Sequence, residues 1–136
     1  MAVSRNALKK WDKVRAYALG LPEAAEEHPW GQSVAKVDKK VFVFLGMNDG
    51  SHPLGVTVKL TDETAHAHAL ACPGAEPARY GLGRSGWVRV PLEPVGAPSA
   101  EVLCDWVEES YRTIAPKRLA ALLDDGRAGR GGAAPA

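Results

Sequence analysis

Charge of one sign is what this sequence lacks: 17 Lys and Arg stand against 16 Asp and Glu, a formal net charge of +1. A dedicated nucleic-acid binder usually carries a strong basic excess, because phosphate neutralisation supplies most of its affinity. Any contact with a polyanion must therefore come from a local cluster of cations. Cysteine is also scarce. Cys72 and Cys104 are far apart and form no CxxC, which excludes a disulfide framework and fits a reduced, intracellular chain. No segment approaches the roughly 18 uninterrupted apolar residues that span a membrane, so no membrane partner is expected. Met1 to Lys10 is polar and lacks an apolar stretch with a small-residue cleavage site, so the expected location is cytoplasmic.

Catalytic signatures are missing too. There is no GxSxG. Glu26 and Glu27 are adjacent rather than opposed across a cleft. His66 and His68 are two apart on a predicted helix, so they point about 200° apart, whereas a helical metal pair needs a spacing near three or four. Cys72 lies four after His68, but no second Cys/His pair accompanies them. The expectation is a non-enzymatic protein with no metal and no cofactor.

What is present is an ordinary globular composition, 46% hydrophobic and 24% charged over 136 residues. That length fits one domain with a real core. We expect the domain over residues 1–123, followed by a disordered Gly/Ala-rich tail over 124–136. Ser4 or Asn6 can cap a first helix with Leu8, Trp11, Val14 and Ala18 at helical spacing, and Gly20 and Pro22 stop it. Glu23 to Gly31 reads as an acidic connection. Ser33 to Val37 is a strand, Asp38-Lys39-Lys40 a turn, and Val41 to Leu45 an apolar strand whose continuity suggests burial on both faces. Asn48-Asp49-Gly50 signals a turn. Leu54 to Leu60 is a third strand, with Val56, Val58 and Leu60 on one face and Thr57 and Lys59 on the other.

Thr61 or Asp62 can cap a second helix that ends before Pro73-Gly74. Cys72 to Gly86 reads as a loop. Trp87 to Leu92 is a fourth strand, with Trp87 and Arg89 on one face. Ser99 caps a last helix with the stripe Val102, Leu103, Trp106, Val107, Tyr111 and Ile114, broken by Pro116. The order is α-β-β-β-α-β-α. We expect an α+β domain with helices on one face of an antiparallel sheet and the other face partly open.

Gly81-Leu82-Gly83-Arg84-Ser85-Gly86 matches GxGxxG. It runs into a strand rather than from a strand into a helix, so it lacks the context of a dinucleotide site. The plainer reading is a loop whose glycines permit a tight entry to the strand. The cations are more suggestive. If the registers align, one sheet face offers Trp87, Arg89, Lys59 and Lys36, with Arg79 and Arg84 on the adjoining loop. An aromatic beside cations suits phosphate contact and base stacking. The alternative is that Trp87 closes the core and the charges are simply solvated.

Several pieces together resemble the MmcQ/YjbR family of small bacterial proteins. They are Ala18-Leu19-Gly20-Leu21-Pro22-Glu23, Glu26-Glu27-His28-Pro29-Trp30-Gly31, Lys36 to Leu45, Val58-Lys59-Leu60, Gly86-Trp87-Val88-Arg89-Val90, Ser110-Tyr111 and Ala115-Pro116-Lys117. The resemblance implies a curved antiparallel sheet, similar in topology to type III secretion chaperones. It also implies DNA binding through β-hairpin wings. Carried onto this chain, the contacts would be Lys36, Lys39, Lys40, Lys59, Arg84, Trp87, Arg89 and Lys117. Ser85 stands where the family often has a second basic residue.

The leading expectation is weak, sequence-independent DNA binding. A protein or peptide adaptor, or self-association through the open face, is the alternative. A small-ligand pocket formed by Glu27, His28, Trp30 and the 81–86 loop is third. In the Glu26–Gly31 loop, His28 beside two carboxylates is expected to pair with them and fix the loop.

Overall fold

The computed structural model describes residues 5–28, 32–46, 54–78 and 82–123. Helix α1 spans Arg5–Leu19 and buries Ala7, Trp11, Val14 and Ala18, the i, i+4, i+7, i+11 stripe of an amphipathic helix. Asn6 lies inside it, and Ser4 and the 124–136 tail fall outside the described residues. The strands are β1 (Ala25–Glu27), β2 (Ser33–Val37), β3 (Lys40–Gly46), β4 (Gly55–Lys59), β5 (Glu76–Pro77) and β6 (Trp87–Pro91). Helix α2 is Glu63–Ala71, α3 is Ala100–Ile114, and a 3₁₀ turn covers Leu82–Ser85. Residues 117–123 form a last helix. The six strands make one antiparallel sheet in the order β1-β2-β3-β4-β6-β5.

Two expectations change here. The acidic connection contains β1, so Glu26 and Glu27 are strand residues rather than loop residues. Pairing Ala25 with Lys36 and Glu27 with Val34 puts Glu27 and Lys36 on one face, where they form an ion pair of 3.1 Å. Local composition hid this strand, because its stabilisation comes from across the sheet. The 72–86 loop likewise contains β5 and the 3₁₀ turn. β5 is only two residues long and ends in a proline, as an edge strand can.

The β2–β3 link is tighter than the three-residue turn expected. Asp38 and Lys39 both have positive φ, 51° and 66°, and Val37 pairs with Lys40. This is the two-residue hairpin geometry whose twist matches the strands. β3 carries extra residues relative to β2 at two places. The shift explains why neighbours Phe42 and Val43 are both wholly buried although a regular strand alternates. Phe42 meets Tyr111 of α3 edge-on, with ring centroids 5.2 Å apart. The apolar run of β3 thus serves mainly the helix-covered face, and Val41 and Phe44 are only half-buried.

The caps follow the sequence. Asp62 caps α2 by accepting from the Ala65 amide at 2.9 Å, and Ser99 caps α3 by accepting from Val102 at 3.3 Å. Ala115 ends α3 in an extended conformation, as a residue before proline prefers. Helix α3 buries Leu103, Trp106, Val107, Ser110 and Tyr111 against the sheet, and the Trp11 indole N–H donates to the Leu45 carbonyl at 2.7 Å. A buried indole needs such a partner. Glu108 is also buried, between α1 and α3. It accepts from the Tyr17 hydroxyl and from Arg112, each at 2.9 Å.

Candidate nucleic-acid interface

The register decides which candidate residues meet. Lys59 pairs with Trp87 and Thr57 with Arg89, so Lys59, Trp87 and Arg89 share a face, as expected. Phe44 pairs with Thr57 and joins them. The Trp87 ring is not displayed, however. It is 7% exposed and stands edge-on to Phe44 at 5.3 Å. It closes the sheet face rather than offering a stacking platform.

The strand ends matter more than the face. Antiparallel pairing of β3, β4 and β6 puts Lys40, Lys59 and Gly86-Trp87 at the same end of the sheet. The exposed Lys39 sits in the hairpin turn at that end, and the exposed Arg84 in the 3₁₀ turn that enters β6. Lys117 belongs there as well. Its neighbour Arg118 reaches Glu23 at 3.2 Å, just before β1, whose first residue faces Lys36. Strands are about 4.8 Å apart, so Lys40 on β3 and the start of β6 are separated by roughly 10 Å, with Lys59 between. Two candidates differ from the rest. Lys36 is committed to Glu27, and Arg89 lies two pairs deeper than Trp87, its guanidinium folded over Gly55. A Cβ on Gly55 would meet that guanidinium at 3.0 Å, so the glycine makes its room. The basic end is mixed in sign, because Asp38, Asp62 and Glu63 lie there too.

Glu26 and His28 take part in a separate cluster on the opposite sheet edge. Arg15 of α1 grips the Glu26 carboxylate with two nitrogens, Nε donating at 2.8 Å, and the Ser33 hydroxyl donates at 2.6 Å. His28 is mostly exposed, with Nε2 at 3.5 Å from the same carboxylate. The expected pairing of His28 is found with Glu26, and Arg15 adds to it by clamping β1 to α1 with a bidentate pair. Pro29, Trp30 and Gly31 lie outside the described residues.

The Arg15 hydrogen bond chiefly, with that from Ser33 and the nearby Arg15 and His28 charges, lowers the Glu26 pKa from 4.5 to about 2 against the cost of burial. A depressed carboxyl stabilises the fold fully above about pH 4.5, and that contribution is lost as pH falls through about 2. Arg15 is 39% exposed, so solvent screening discounts the pair to on the order of 2 kcal/mol. Glu26→Gln should therefore flatten the acid limb of the stability curve. Urea unfolding at pH 7 and pH 3 checks this: a variant as acid-sensitive as the parent would show that Glu26 is not the group responsible.

An open concavity of about 470 Å³ adjoins the basic end. It is lined by Leu60, Thr61, Glu63, His66, Arg84, Ser85 and Gly86. The described residues do not bring Glu27 and His28 to residues 82–86: Glu27 ends β1, His28 follows it, and three strands separate β1 from β6. Trp30 and Gly81, like Arg79, lie outside the described residues. His66 and His68 diverge as predicted: His66 enters the concavity, and His68 meets Trp106 edge-on. Among the described residues no group of three His, Cys, Asp or Glu is placed to hold a metal ion. None of the described helices is long and apolar enough to cross a membrane.

Sequence reasoning missed Arg15 and Ser110. Ser110 had a signal, a polar residue on the otherwise apolar stripe of α3, which announces a buried hydrogen bond. Arg15 had none, since its partner lies on an unexpected strand.

Fold and site together define an α+β domain whose three long helices back one antiparallel sheet, with cations gathered at one sheet end. A family model described as YjbR matches residues 19–113, and the chain belongs to that family. A solved protein of Deinococcus radiodurans, described as a DUF419 domain, is similar in structure. The TM-score is 0.63 at 24% identity, over 83% of this chain and 86% of that one. The similarity shows the shared fold. No curated protein matches the chain.

Proposed function

We propose that this protein is a non-enzymatic binding domain that contacts nucleic acid weakly, through phosphates and without reading base sequence. The observation that carries the reading is the gathering of Lys39, Lys40, Lys59, Arg84 and Lys117 at one sheet end. The roughly 10 Å from Lys40 to the start of β6 spans about three steps of duplex at 3.4 Å per strand. The burial of Trp87 favours charge over stacking in this reading. The acidic neighbours and the near-zero net charge fit weak affinity. Strand addition at β5 has less support, because that edge is two residues long and Pro77 has no N–H to donate.

Fluorescence anisotropy of labelled duplex and single-stranded DNA across a salt series tests this. Log K should fall with log salt with a slope of roughly −3.6 to −4.5 on duplex, for four or five phosphate contacts, and less steeply on single strands. Lys39→Ala, Lys40→Ala and Lys59→Ala should each reduce that slope by about one. Absence of binding at low salt would end the proposal.

A further inference from the structure

The concavity beside Arg84 is open to solvent, with Thr61, Glu63, Arg84 and Ser85 all exposed around it. Its volume of about 470 Å³ lies in the range of small-ligand sites. Three separate pieces of chain supply its polar groups: Thr61 from the β4–α2 link, Glu63 and His66 from α2, and Arg84 and Ser85 from the 3₁₀ turn. Among the described residues, the side chains of Thr61, His66, Arg84 and Ser85 make no hydrogen bond or ion pair with the protein. Elsewhere at this end, by contrast, Arg118 is paired with Glu23 and Lys36 with Glu27. Among the described residues, four side chains able to donate thus face one space in which none of them is hydrogen-bonded to an acceptor, Glu63 being the carboxylate beside them.

The walls are also fixed. The Leu60 amide donates to the Gly86 carbonyl at 2.9 Å, tying the start of α2's link to the start of β6. Asp62 caps α2 and its own amide donates to Glu109, which holds the helix start in place. Leu60 supplies an apolar floor.

We infer that this concavity binds a phosphate monoester, held by the Arg84 guanidinium with the Ser85 and Thr61 hydroxyls and the His66 ring N–H as further donors. A guanidinium presents a planar fork that matches phosphate oxygens. Glu63 is the one opposing charge, and it tunes the site: its carboxylate repels the dianion, which keeps affinity modest. Two sources share this chemistry, a free mononucleotide and the phosphorylated 5′ end of a nucleic-acid strand. The strand-end source rests on the proposed nucleic-acid binding; the free-ligand source does not.

Titration of the ¹⁵N-labelled full chain with thymidine 5′-monophosphate, and with thymidine as control, reads the site directly. The Ser85 and Gly86 amides should shift with the monophosphate and stay still with the nucleoside. Arg84→Ala should weaken binding at least tenfold. Glu63→Gln should tighten it several-fold, a gain that mere loss of packing would not produce. An unshifted Ser85–Gly86 segment, or weaker binding in Glu63→Gln, overturns the inference.

Anisotropy with 5′-phosphorylated and 5′-hydroxyl single strands separates the sources. A several-fold preference for the phosphorylated strand supports the strand end. Equal, salt-sensitive binding of both, with no monophosphate shift, overturns this inference and leaves the backbone reading standing. A monophosphate shift with neither strand bound supports the free ligand and overturns the backbone reading.

Discussion

Ser110→Ala should destabilise the protein by about 3 kcal/mol, far more than a surface serine would. The Ser110 hydroxyl is wholly buried and donates to the Phe42 carbonyl, while accepting from the Lys59 amide at 2.9 Å. It fills the gap where β3 and β4 stop pairing, since their ladder joins only Val43 to Val58 and Phe44 to Thr57. Alanine removes one atom and leaves two buried main-chain groups without a partner, each costing about 1–3 kcal/mol. Urea unfolding should show a lower midpoint at unchanged slope. Hydrogen exchange gives a local readout, because the Lys59 amide should lose protection while Val58 keeps its own. A loss below about 1 kcal/mol, or an unaltered Lys59 amide, would refute this account.

Ser110 also marks the limit of what the chain's pattern reveals. Helices α1 and α3, the caps at Asp62 and Ser99, and four of the strands were legible, because each is encoded in a local period or a local hydrogen bond. The β1 strand was not. Its three residues are Ala-Glu-Glu, with no β propensity, and they pair only because Lys36 and Ser33 on β2 and Arg15 on α1 receive their carboxylates. β5 was hidden too, since Glu76-Pro77 has no strand pattern of its own and pairs only across the sheet with Arg89 and Val88. The continuous apolar run of β3 suggested burial on both faces, but Val41 and Phe44 are half-buried, and two irregularities turn Phe42 and Val43 to buried positions together.

The candidate site was legible by face but not by end. Alternation placed Lys59, Trp87 and Arg89 on one side, and the register agrees. Alternation says nothing of how deep an aromatic sits, and Trp87 is closed off by Phe44. Nor can it bring a turn at residue 39, a strand end at 59 and a 3₁₀ turn at 84 to one sheet end. That needs the order β3-β4-β6, which is a property of the fold. The same holds for the concavity, whose walls come from the separate segments 60–66 and 84–86.

Gly86→Ala should cost about 3 kcal/mol and also disturb the concavity, whereas Arg84→Ala should leave stability within about 0.5 kcal/mol of the parent. Gly86 has φ of +95°, where a side chain is strained by roughly 1–2 kcal/mol. An added Cβ would also stand 2.9 Å from the Leu60 carbonyl oxygen, a main-chain atom that cannot swing aside. Relief requires the 3₁₀ turn to move away from Leu60, which weakens the 2.9 Å bond between the Leu60 amide and the Gly86 carbonyl. Arg84 and Ser85 would move with it. The two variants therefore separate scaffold from contact. In Gly86→Ala the loss of stability and of phosphate binding go together; in Arg84→Ala binding falls alone. Thermal unfolding and the monophosphate titration, run on both proteins, check the pair. If Gly86→Ala were as stable as the parent, the close approach of β6 to Leu60 would not be holding this end of the sheet. If Arg84→Ala lost stability as well, its guanidinium would be a structural group, and the cation nearest the concavity would no longer be available to a ligand.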